Sequence, residues 1–127
     1  MKEMIYKPKR EVELLAEGEH NGYEYYVLSL GTHPCCYIKL HDFDDAEKAE
    51  YNFNVHGGIT YNEDHLIIND RRINGKIVGW DYAHLGDYCG LDEMFGYGHG
   101  SKYTTRELVG DCIGAIEDWI DLKGEAE

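Results

Sequence analysis

The sequence predicts a single α+β domain in which a mostly antiparallel sheet of about four to six strands is covered by a C-terminal helix. Two observations lead to this fold class. Short β-type segments separated by turn-prone residues come first, and the clearest helical pattern comes last. With 127 residues the chain is long enough for one hydrophobic core and too short for a second domain of useful size. We therefore expect residues 1–127 to form one domain.

The first two strands are predicted between residues 23 and 40. Residues 23–30 are rich in aromatic and branched side chains, follow the turn pair Asn21-Gly22 and end at Gly31, as strands between turns commonly do. Residues 35–40 follow after a short turn, so the two segments can pair as a hairpin. The opening stretch, where the densest basic cluster gives way to glutamates, predicts no regular element.

Shorter strands are predicted after an acidic connection. Residues 41–54 contain many carboxylates but no sustained apolar face, which predicts a loop with a short helix. Strands are predicted over 59–61, 65–68 and 76–80, with groups of Asn, Asp and Gly between them. Residues 86–100 then hold five glycines, a composition typical of a long loop that either carries function or connects elements.

The clearest single element is a helix near the carboxyl end. Residues 104–107 read Thr-Thr-Arg-Glu, a capping box in which a hydroxyl and a carboxylate satisfy free backbone N–H groups. Apolar side chains then recur at three- and four-residue intervals and form one helical stripe: Leu108, Val109, Cys112, Ile113, Ile116, Trp119 and Ile120. This pattern predicts a helix that covers one face of the sheet.

The charge balance excludes some partners. The chain has 25 acidic and 12 basic side chains and a formal charge of −13, which repels phosphate backbones and anionic lipid surfaces. Direct binding to nucleic acid or to a membrane surface is therefore disfavoured. Two explanations of the acidic charge remain open. It serves solubility alone, or it serves docking to a basic partner such as the nucleic-acid groove of another protein. For docking, the candidate contact residues are Asp42, Asp44 and Asp45.

The cysteines and the hydropathy pattern indicate the compartment. No apolar run approaches the roughly 18 residues needed to span a bilayer, and the amino end lacks the apolar stretch of a signal peptide. We expect the protein in the cytoplasm of its host cell, where thiols stay reduced. Cys35 and Cys36 are adjacent, and Cys89 and Cys112 are isolated. This spacing excludes a zinc finger and predicts ordinary buried or half-buried thiols.

The first segment that can carry chemistry is a histidine followed by two glycines. His56 stands before Gly57 and Gly58, which let the backbone adopt positive φ and a ligand approach closely. Thr60 and Tyr61 follow. The candidate ligand contacts in this segment are Gly57, Gly58, Thr60 and Tyr61. Serine hydrolysis is excluded because the chain lacks a Gly-x-Ser-x-Gly nucleophile elbow.

The second such segment follows the predicted strand 76–80. Asp81, His84 and Asp87 recur at three-residue intervals, and with His56 they offer the mixed ligands that a divalent metal such as zinc or manganese accepts. A metal-free site is the alternative, in which His56, His84 and Asp81 act as acid–base groups. A third possibility is that the aspartates cap turns and the histidines hydrogen-bond within the loop.

Tyrosine is unusually frequent, with 11 copies. Tyr61 and Tyr82 lie within the two segments, and Tyr88, Tyr97 and Tyr103 lie near them. Tyrosine combines flat apolar area with a polar tip, which suits stacking against a base or filling an interface. Tyr61 and Tyr82 are therefore candidate walls of a ligand pocket, and packing in the core is the alternative for each.

Two motifs, HGGITY at 56–61 and GWDYAHLGD at 79–87, resemble an uncharacterised family of small phage and prophage proteins. The resemblance implies an accessory protein of a phage or mobile element, and small acidic proteins of this origin often disable host defences. We therefore expect a protein that acts by binding to inhibit a host defence system. Its partner would be a host immune effector protein or a small nucleotide-like signal. The alternative is a small metal-dependent or histidine-based hydrolase that uses His56, Asp81, His84 and Asp87.

Overall fold

The computed structural model describes residues 12–29, 33–55, 57–82 and 104–126. Within these ranges the chain forms β1 (Glu13–His20), β2 (Tyr23–Ser29), β3 (Pro34–Lys39), α1 (Ala46–Asn52), β4 (Tyr61–Ile68), β5 (Arg71–Asp81) and α2 (Thr105–Ala126). The strands pair antiparallel in the order β1-β2-β3-β5-β4. The predicted α+β fold, an antiparallel sheet with a C-terminal helix, is confirmed.

Strands β4 and β5 differ from their predicted bounds. Residue 61 and the predicted segment 65–68 lie in one strand, because the turn-prone residues between them stay paired with β5. The register shift between Glu63 and His65 is a bulge whose extra residue lies in β5. β5 begins at Arg71 instead of residue 76, since Asn69 takes a φ of 57° and helps close a tight hairpin after β4. The hairpin register pairs Tyr61 with Gly79.

Strand β1 is an element that the sequence pattern did not predict. Its glutamates Glu13, Glu17 and Glu19 are exposed, and glutamate has no intrinsic preference for strands. The strand forms because β2 pairs with it along its length through a hairpin at Asn21 and Gly22, which have φ values of 52° and 90°. The Asn-Gly pair before an alternating segment was the signal that could have revealed it.

One face of the sheet packs against the helices. The buried side chains of this helix-facing layer are Tyr23, Val27, Cys36, Ile38, Leu40, Ala49, Phe53, Val78, Trp80, Tyr82, Leu108, Cys112, Ala115, Ile116 and Trp119. Helix α2 begins with the predicted capping box: Glu107 N–H donates to Thr104 Oγ1 at 3.1 Å, and Thr104 N–H donates to Glu107 Oε1 at 2.9 Å. No helix in the described ranges is long and apolar enough to cross a membrane.

The opposite face of the sheet holds a second buried layer, formed by Tyr26, Leu28, Cys35, Tyr37, Leu66, Ile68, Ile73 and Ile77. The tip of the β4–β5 hairpin reaches the far edge of the sheet to enclose it. Asn69 exchanges two hydrogen bonds with the backbone of Val12, at 2.7 and 3.0 Å. Arg71 donates two hydrogen bonds to the Glu17 carboxylate, at 2.9 and 3.2 Å. The tip of the β4–β5 hairpin therefore contacts the β1 edge of the sheet.

The described cysteines match the predicted role. Cys35, Cys36 and Cys112 are buried free thiols, and Cys36 and Cys112 lie in the layer between the sheet and α2. Cys89 lies outside the described residues. These thiols contribute apolar packing, as free cysteines commonly do.

A buried carboxylate joins α2 to the loop between β3 and α1. Lys123, in the last turn of α2, donates from Nζ to Asp44 Oδ1 at 2.6 Å, and the Asp44 side chain is fully buried. The other oxygen, Oδ2, accepts from the Tyr23 hydroxyl at 3.0 Å and from the His41 backbone N–H at 2.9 Å. Lys123 Nζ also lies 4.8 Å from the centroid of the Phe43 ring. We call this group the Asp44 cluster.

This arrangement corrects the expectation that Asp42, Asp44 and Asp45 form an acidic docking face. The Asp44 carboxylate is enclosed and paired with Lys123. Asp45 is the N-cap of α1, and its side chain accepts hydrogen bonds from the backbone N–H groups of Glu47 and Lys48. Only Asp42 of the three is exposed without such a structural role in the described part of the chain.

The Asp44 cluster predicts a pH-dependent contribution to stability. Burial acts to raise the pKa of Asp44, but hydrogen bonds from Lys123, His41 N–H and Tyr23 outweigh it and hold the pKa below its usual value. The folded chain therefore binds this proton less readily than the unfolded chain does. The resulting stability is complete above the unfolded pKa of about 3.9 and is lost as pH falls through the folded pKa.

We expect Asp44→Asn to lower the free energy of unfolding at neutral pH by about 2–4 kcal/mol, because it leaves a partly buried lysine without its counter-charge. Urea denaturation across a pH series should show this difference shrinking below about pH 4. Asp42→Asn, at an exposed neighbour, is the matched control and should change stability little. An Asp44→Asn difference that is absent, or that does not vary with pH, would contradict this role.

Candidate functional site

The pairing of β4 with β5 brings parts of the two sequence motifs together. Tyr61 is the register partner of Gly79, and Thr60 N–H donates to the Gly79 carbonyl at 2.9 Å. The Thr60 hydroxyl donates to Asp81 Oδ2 at 3.3 Å. The candidate ligand residues of the first motif therefore lie beside the candidate carboxylate of the second.

These residues line a cavity of about 190 Å³ at one end of the second buried layer. Its walls are His33, Cys35, Tyr37, Thr60, Tyr61, Trp80 and Asp81. We call it the motif pocket. Its polar groups are the Asp81 carboxylate, the Thr60 hydroxyl and the His33 imidazole, a set that can orient a small polar ligand through hydrogen bonds.

The thiol in the motif pocket is not an activated nucleophile. Burial raises the pKa of Cys35 to about 11, with a smaller opposing effect from its hydrogen bond with Tyr37. At neutral pH the group is therefore a thiol, whereas nucleophilic cysteines react as thiolates. Cys35 therefore fills space in the wall of the motif pocket. The pocket is better suited to binding a ligand than to covalent catalysis by this thiol.

Gly79 determines the shape of the pocket. A Cβ atom there would lie 2.4 Å from the Tyr37 ring and 2.8 Å from the Cys36 carbonyl oxygen. The absence of a side chain lets the Tyr37 ring lie over the strand, where it packs edge-to-face with Tyr61 at a centroid distance of 5.1 Å. The glycine is therefore required by packing, and the two tyrosines form one wall of the pocket.

Tyr82 does not share this pocket with Tyr61, which corrects the expectation that both tyrosines wall one site. Its side chain is 1% exposed and lies in the helix-facing layer. The hydroxyl accepts from Trp80 Nε1 at 2.9 Å and donates to Asp111 Oδ2 at 2.5 Å. Tyr82 thus links the core to a carboxylate on the surface of α2.

Several predicted site residues lie outside this arrangement. Gly57 and Gly58 have φ values of 72° and 82°, the positive φ that the sequence predicts, and a Cβ at Gly58 would meet no atom within 4 Å. His56, His84 and Asp87 lie outside the described residues. Within the described ranges, no group of three or more histidine, cysteine or carboxylate side chains is placed to hold a metal ion.

A second concave surface runs beside α2 and was not predicted. It has a volume of about 380 Å³ and is lined by Asn54, Val55, Trp80, Gly110, Asp111, Gly114, Ala115 and Asp118. We call it the helix groove. One wall is the exposed side of α2 and the other is the chain that follows α1, so the groove depends on a contact that no local pattern reveals.

The exposed side of α2 carries a regular row of carboxylates. Glu107, Asp111, Gly114, Asp118 and Asp121 recur at alternating intervals of four and three residues, which places them on one side of a helix. All four acidic members are exposed. We call this row the acidic stripe. At 1.5 Å per residue it extends about 21 Å along the helix axis.

Among the described residues, little positive charge balances the acidic stripe. The two basic residues of α2 in the described ranges are Arg106 and Lys123, and Lys123 is already paired with Asp44. Asp118 and Asp121 have no hydrogen-bond or ion-pair partner among the described residues. The stripe therefore presents a strongly negative surface to a partner.

Comparison of the chain with protein-family models, curated proteins and solved structures finds no match. The resemblance to small phage proteins therefore stays a prediction. Any functional conclusion must rest on the geometry of the chain's own residues.

Proposed function

We propose that this chain is an accessory protein of a phage or mobile element that acts by binding. In this proposal it inhibits a host defence system by covering the basic, nucleic-acid-binding surface of an immune effector. The observation that carries the proposal is the acidic stripe on α2, whose carboxylates are exposed and largely unbalanced by basic neighbours within the described ranges. Complementary charge both speeds association and selects the partner.

The composition of α2 supports a role beyond packing. Aspartate and glycine are weak helix formers, and carboxylates in the C-terminal half of a helix oppose its macrodipole. Asp118 and Asp121 have both disadvantages. A Cβ atom at Gly110 or Gly114 would meet no atom within 4 Å, so packing does not require glycine at either position. The aspartates and glycines on this side of α2 therefore lower the stability of the helix, and packing does not require them. A binding surface would account for their presence.

The size of the motif pocket favours occlusion over capture of a nucleotide-like signal. Small-molecule sites commonly have volumes of about 300–1,000 Å³. The motif pocket, as its described walls define it, has about 190 Å³. A mononucleotide therefore fits the described cavity poorly, whereas the acidic stripe extends over about 21 Å and suits a macromolecular surface.

Charge reversal tests this proposal. Bacterial strains that each carry one nucleic-acid-binding defence system are challenged with a phage that the system blocks, with and without the protein. We expect the wild-type protein to restore plaque formation in at least one strain and the Asp118→Lys/Asp121→Lys variant to fail. Losing two charge contacts and adding repulsion should weaken binding by about 10- to 100-fold.

The matched control is Glu19→Lys/Glu63→Lys, which changes the net charge equally on exposed strand positions. It should retain activity. Lysine is a better helix former than aspartate, so the α2 variant should fold, and circular dichroism checks this. Equal activity of the two double variants, or no restoration in any strain, would count against the proposal.

The motif pocket supports a second candidate, a small metal-dependent or histidine-based hydrolase. The hydrogen bond between Thr60 and Asp81 joins the two motifs at one place. In this candidate His56, Asp81, His84 and Asp87 act as metal ligands or acid–base groups, with zinc or manganese as the metal.

Elemental analysis of the purified protein distinguishes this candidate. If it is right, stoichiometric metal is present in the wild-type protein and is lost in folded His56→Ala and His84→Ala variants. His20→Ala, which changes a histidine paired with Glu117 outside the motifs, should retain the metal. Metal retained by both motif variants would contradict a shared metal site.

A further inference from the structure

The helix groove has the features of a site for a single cationic side chain. It is a concave surface of about 380 Å³ whose lining includes Asp111, Asp118 and Trp80. Asp111 and Asp118 are exposed, whereas Trp80 is 1% exposed. The groove thus presents exposed carboxylates in a concave surface, and such carboxylates bind cationic side chains through charge-assisted hydrogen bonds.

A chain of buried hydrogen bonds holds one of these carboxylates in position. Trp80 Nε1 donates to the Tyr82 hydroxyl at 2.9 Å, and this hydroxyl donates to Asp111 Oδ2 at 2.5 Å. Trp80 and Tyr82 are both fixed by packing in the helix-facing layer. The orientation of Asp111 is therefore set by the core, and a ligand that binds it meets a carboxylate that is already ordered.

The glycines of α2 leave room for the stem of a long side chain. Gly114 lies between Asp111 and Asp118 in the helix. The axial rise from Asp111 to Asp118 is about 10 Å. A Cβ at Gly110 or Gly114 would meet no atom within 4 Å. An aliphatic stem can therefore lie against the bare helix backbone while its charged end reaches the Asp111 carboxylate.

We propose that the helix groove accepts an arginine side chain of the protein partner. The inference rests on the proposed function, because the basic surface covered by the acidic stripe would supply this arginine. A planar guanidinium has donors on several edges and is weakly hydrated, so it can donate to Asp111 while it lies in the negative field of Asp118. A lysine ammonium is a compact, strongly hydrated point charge and matches this set less well.

Fluorescence anisotropy with labelled nona-arginine and nona-lysine at low salt tests the inference. The key variant is Gly114→Leu, which fills the groove without changing charge and replaces a weak helix former with a strong one. Gly124→Leu is the matched control, because it lies in the same helix outside the groove and its Cβ also meets no atom within 4 Å.

We expect the wild-type protein and Gly124→Leu to bind nona-arginine more tightly than nona-lysine. Gly114→Leu should lose this preference and bind nona-arginine about 5- to 10-fold more weakly, the change expected for losing one charge-assisted contact. Equal binding of nona-arginine by Gly114→Leu and the wild-type protein would overturn the arginine site alone. Binding of neither peptide by the wild-type protein would overturn the proposed function as well.

Discussion

The burial of one side of α2 against the sheet is the interaction on which the rest of the structure depends. Leu108, Cys112, Ile116 and Trp119 fix the rotation of the helix about its axis, because each is at most 2% exposed in the helix-facing layer. That rotation directs the acidic stripe away from the sheet. The Asp44 cluster anchors the last turn through Lys123, so the carboxylates are held in one orientation. Burial of the apolar stripe is thus what makes the acidic surface available.

The elements with strong local signals were predictable from the sequence. The capping box and apolar periodicity predicted α2, and the aromatic and branched residues of β2 and β3 predicted two central strands. Strand β1 was missed because its glutamates have no strand preference, and pairing with β2 outweighs that deficit. Strand β4 was predicted as two pieces because Asn62, Glu63 and Asp64 are turn-prone residues with low strand preference, and pairing with β5 keeps them in the strand.

The candidate sites were less predictable because they depend on distant residues. The contact of Thr60 with Asp81 follows from the β4–β5 register, which no local pattern gives. The roles of Asp44 and Tyr82 could not be seen, since Asp44 pairs with a lysine 79 positions away and Tyr82 bonds to Asp111, 29 positions away. The acidic stripe was present in the sequence, but the apolar residues between its members concealed its four-three spacing.

The most direct test of the central claim, that the exposed side of α2 is the contact surface, is to map backbone amide chemical shifts while nona-arginine is added. The largest changes should fall on Gly110, Gly114 and Asp118, with smaller ones at Val55 across the helix groove, and they should weaken as salt is raised. Changes that are largest on β4 or in the loop around Asp42, or that are spread evenly over the surface, would contradict the account.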